Sequence, residues 1–118
     1  IQIEHVMDMQ HCQRVLLVDA SRELAQAFYF FPVRPLQQTR YTTHGMSPST
    51  LLHTYRQVLG EEPPACAMLA IAGYRFELGQ ALSPQAGANL EQAEVFLRKL
   101  LAAEDFSVWD ANLSGLEI

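Results

Sequence analysis

Val15-Leu16-Leu17-Val18-Asp19-Ala20 is the stretch whose reading decides the fold of this chain. Four apolar residues run without a polar break and stop on a carboxylate. A strand covered on both faces has that pattern, so the run predicts an internal strand of a mostly parallel sheet flanked by helices. In open α/β sheets, ligands bind beyond the carboxyl ends of the strands. Asp19 therefore stands where a binding or catalytic group is expected. The other role open to it is structural, as the cap of a turn through Ala20-Ser21-Arg22.

Working outward, Phe28 to Val33 is a second strand, and Pro32 and Pro35 push it to a sheet edge. Residues Gln37 to Met46 are polar and read as a loop. A helix follows, with Ser47 as N-cap, Pro48 as first helical residue and Gly60 as its stop. Leu51, Leu52, Tyr55, Val58 and Leu59 form its apolar stripe. Ala67 to Ala72 is a third strand, and Gly73 to Gln80 a loop. Ser83-Pro84 repeats the capped start, and the last long helix carries Leu90, Ala93, Leu97, Leu100 and Leu101 on one face. Residues 104–118 read as a tail anchored by Trp109. Upstream, Ile1 to Met9 reads as a helix with Ile3, Val6 and Met7 sharing a face.

Strands alternating with helices give a single α/β domain over residues 1–118, with a mostly parallel, twisted sheet and one edge strand. Three strands are fewer than the usual size of about five. Ile1 is no initiator Met, and residues 1–9 look like the middle of a fold. The expectation is that an N-terminal strand-helix-strand unit belongs in front of this stretch.

Composition narrows the function classes. The 118 residues are 49% hydrophobic and 18% charged, with a net charge of -5. No basic cluster is present, which argues against a nucleic-acid partner. No apolar run reaches membrane-spanning length and no signal-peptide pattern occurs, so membrane insertion is not expected. Cys12 and Cys66 form no C-x-x-C motif, and Cys66 lies in an apolar run as a buried thiol would. A reducing cytoplasm is the compartment this suggests.

Chemistry concentrates at two positions. His44 precedes the N-cap Ser47 by three residues, near the positive end of a helix dipole. That field favours the neutral ring, the form that binds metal. The alternative is a loop histidine that bonds only to backbone. Asp19 and His44 together would supply two thirds of a metal site. His5, His11 and His53 read as surface or partly packed residues. Arg75 and Glu77 follow a buried strand and read as a solvated loop pair. No G-x-S-x-G elbow, Walker loop, dinucleotide fingerprint or H-E-x-x-H motif occurs.

The order of these features resembles the hydrogenase maturation endopeptidases. The resemblance is carried by Val15-Leu16-Leu17-Val18-Asp19-Ala20, by Thr43-His44-Gly45-Met46-Ser47-Pro48 with Leu51-Leu52, by Ala70-Ile71-Ala72-Gly73, by Phe76-Glu77-Leu78-Gly79 and by Leu82-Ser83-Pro84. It runs from about Ile1 to Ala103 in register. It implies a three-layer α/β/α sandwich and an enzyme that removes a C-terminal extension from the large-subunit precursor of nickel–iron hydrogenase. It also implies that Asp19 takes the strand-end metal role, with general-base catalysis as its alternative, and that His44 takes the imidazole role. The metal would be nickel already carried by the precursor, with no organic cofactor. The family's first carboxylate follows a G-x-G-N strand end, a motif these 118 residues do not contain. A rival of another class is a non-catalytic module that docks the hydrogenase precursor or an accessory protein. A third, a generic small-molecule hydrolase, would need a nucleophile near Asp19, and none is evident.

Overall fold

Ser47 starts a helix for reasons its own side chain supplies. Its hydroxyl oxygen accepts the Thr50 N–H at 3.2 Å, and the same hydroxyl donates to Thr50 Oγ1 at 2.9 Å. Pro48 follows at the first helical position, where a missing N–H costs nothing. The helix ends at Gly60, whose φ of 68° lies in the left-handed region that suits glycine. The computed structural model describes residues 4–21, 26–35, 47–73 and 84–113. Within them the order is α1 (His5–Met9), β1 (Arg14–Ser21), β2 (Phe28–Val33), α2 (Pro48–Leu59), β3 (Ala65–Ala72), α3 (Pro84–Ala102) and α4 (Ser107–Asn112).

The fold is mixed α/β; among the described residues there is a small three-stranded sheet of order β1-β3-β2, which is mixed and not mostly parallel as expected. The Ala72 N–H donates to the Ala27 carbonyl at 2.9 Å, which sets the end of β3 beside the start of β2 and makes that pair antiparallel. The edge position expected of β2 is therefore observed, with Pro32 inside it. β1 departs from the expectation. It is the other outer strand, and its burial fades from half-buried at residues 14–17 to exposed at 18–20. Val18 is 56% exposed. The central strand is β3, with residues 66–70 all buried.

The chain divides into two compact units. The first takes its described residues from 1–17 and 32–67. Its core is mainly aliphatic, with one aromatic ring: Val6, Met9, Leu51, Leu52, Tyr55 and Cys66, with Val15, Leu17, Val33 and Leu59 packed against them. Val6 is buried as expected, whereas Met7, expected on the same packed face, is 59% exposed, because α1 turns Met9 inward in its place. Val58 is likewise exposed. Behind Gly60, the Tyr55 hydroxyl donates to Glu61 Oε1 at 2.9 Å and Arg56 pairs with Glu62 at 2.8 Å, fixing the exit from α2.

The second unit takes its described residues from 18–31 and 68–116. Its core is aromatic. Phe30 meets Phe96 edge-on with centroids 5.2 Å apart, and Trp109 edge-on at the same separation. Trp109 thus anchors the segment after Glu104 as expected, but through a helix, α4, and not as an extended tail. Asp105 holds the start of α4 by accepting the Ser107 N–H at 2.9 Å and hydroxyl at 2.6 Å. Those two bonds draw its carboxyl below the usual range. The inward stripe of α3 is Ala86, Asn89, Ala93 and Leu100, while Leu90 and Leu101 face outward.

Candidate functional site

Asp19 lies within β1 and not at its end, since the strand continues through Ala20 and Ser21. It is exposed. Its Oδ1 accepts the N–H of the adjacent Ala20 at 2.9 Å, a strictly local bond made in extended backbone. One carboxylate oxygen is thereby oriented along the strand. The turn-capping role weighed for Asp19 has no bond to support it among the described residues, because Ala20 and Ser21 are strand. An exposed carboxylate on the outgoing half of an outer strand is accessible to a large ligand such as a protein surface.

His44 lies outside the described residues, as do Arg75, Glu77 and Ser83. The helix start that follows His44 is described, and it is the Ser47-capped first turn of α2. That turn contains no acidic side chain. Ser49 and Thr50 within it are buried. The positive end of the α2 dipole therefore begins at Ser47, three residues after His44 in the sequence.

The remaining histidines behave as expected. His5 and His11 are exposed, and His11 adopts a φ of 70° just after α1. His53 is half-buried on α2, and its Nε2 is buried without a hydrogen-bond partner among the described residues. Cys66 is buried in β3, and loss of solvent pushes its thiol up to about 12. Cys12 is exposed, and its thiol donates to the Asp8 carbonyl at 3.6 Å.

Two features have no counterpart in the sequence reading. In the first unit a cavity of about 260 Å³ opens among Met9, Val15, Leu17 and Leu51, and His5, Asp8, Cys12 and Arg14 also line it. The signal for that grouping was the spacing of His5 and Asp8, three apart and so neighbours on a helix surface. Among the described residues no three or more His, Cys, Asp or Glu side chains are grouped to hold a metal ion. The second feature is Asn89, buried in α3. It accepts from Gln85 Nε2 at 3.1 Å and donates through Nδ2 to the Ala72 carbonyl at 3.0 Å, so a polar side chain closes the end of β3.

No protein-family model, curated protein or solved structure matches this chain. No described helix is long and apolar enough to cross a membrane.

Proposed function

We propose that this chain is a hydrogenase maturation endopeptidase, which removes the C-terminal extension of a nickel-loaded large-subunit precursor in the cytoplasm. The observation that carries the reading is the ordered set of motifs from Val15 to Pro84, with Asp19, His44 and Ser47-Pro48 in register. The described elements support it. Asp19 is accessible on the outgoing half of β1, and the capped start of α2 follows His44 by three residues. In this reading the sheet and its helices are part of a three-layer α/β/α sandwich.

The chemistry follows from the donor set. A carboxylate and a neutral imidazole are ligands that nickel, zinc and similar ions accept without sharp selection among them. Selectivity then comes from the substrate, whose own nickel is the handle that His44 and Asp19 grip. Only a loaded precursor presents it. The third ligand of the family, a carboxylate after a G-x-G-N strand end, is not among these 118 residues. Peptide hydrolysis needs water added to the scissile carbonyl and a proton delivered to the leaving amine. Asp19 serves either as ligand or as the base that takes the proton from that water.

The test is a cleavage assay on purified precursor, loaded and unloaded with nickel, read by mass spectrometry. The expected result is shortening of the loaded precursor alone, lost in Asp19→Ala and in His44→Ala. Cleavage unchanged in both variants would end the proposal. Stable capture of the precursor with its extension intact would replace the peptidase by a docking module.

A further inference from the structure

We draw no further inference here: the strongest candidate, the apolar-walled cavity of about 260 Å³ between α1, β1 and α2 in the first unit, carries nothing, because nothing in the structure shows what covers it.

Discussion

β1 and β3 are each eight residues long and each is built on an unbroken apolar run, yet they occupy opposite positions in the sheet. β3 lies between two neighbours and buries residues 66–70 completely enough to form the middle of the fold. β1 has β3 on one side, and its residues 18–20 are exposed. The difference shows that apolar content gives a strand the capacity to be buried, while its neighbours decide whether it is. Side-chain size separates the two. Alanines at 65, 67, 70 and 72 make β3 a strand that elements can approach closely, whereas β1 carries bulkier residues at 15–18.

The contrast is widest in thiol chemistry. Cys66 belongs to β3 and Cys12 lies just ahead of β1. Raising the Cys66 thiol from 9.0 to about 12 leaves it, at neutral pH, roughly a thousandfold less thiolate than an unperturbed cysteine. A native-state thiol titration near neutral pH should label Cys12 and spare Cys66 until the protein unfolds. The pH dependence has a definite sign. A folded value raised above the unfolded one means the contribution to stability is intact below about 9 and is lost as pH rises towards about 12. Equal labelling of the two thiols in the native protein would remove β3 from the interior.

Packing should follow the same division. Leu69 is 1% exposed, and Leu69→Ala should cost about 2–5 kcal/mol by deleting buried methyl groups and leaving a cavity. Val18→Ala, on the exposed half of β1, should change stability by about 0.5 kcal/mol or less. Urea unfolding of the two variants measures the gap, and comparable midpoints would break the distinction between the strands. The end of β3 gives an intermediate case. Asn89→Leu removes the donor to the Ala72 carbonyl at the buried end of β3, which should cost about 1–3 kcal/mol. Hydrogen exchange in β3 should then rise first at its C-terminal residues. If Asn89→Leu stabilises the protein, the bond to Ala72 is dispensable.

What the sequence made legible follows from which interactions are local. Ser47, Pro48 and Gly60 define α2 through bonds and dihedrals within a few residues of themselves, and their reading agrees with the structure. Pro32 and Pro35 marked β2 as an edge because proline cannot donate to a ladder. The position of β1 depends on strand pairing, which no property of Val15 to Val18 encodes. The apolar pattern of α3 puts Leu90, Ala93, Leu97, Leu100 and Leu101 on its inward face; the structure buries Ala93 and Leu100, turns Asn89 inward with them and leaves Leu101 74% exposed. A buried asparagine is stable only because a strand-end carbonyl waits for it, and that partner is 17 residues away in sequence. Of the candidate site, the sequence places Asp19 at the end of a buried strand, whereas the strand extends two residues beyond it and Asp19 is exposed.

The smallest expected stability change bears most directly on function. Asp19 is exposed, and the bond its carboxylate accepts, from the Ala20 N–H, is one an amide oxygen can also accept. Asp19→Asn should therefore alter stability by no more than about 0.5 kcal/mol. The substitution keeps the shape of the side chain and removes its charge and basicity. If the proposed cleavage is observed with the unaltered protein and disappears in this variant while the urea midpoint stays fixed, the loss belongs to the carboxylate's chemistry and not to the fold. If the midpoint falls by more than about 1 kcal/mol, the carboxylate has a structural role on β1, and the activity measurement alone no longer identifies it as a ligand or base. The exposed position of Asp19 is what makes these two outcomes separable, since a carboxylate on the buried central strand would confound them.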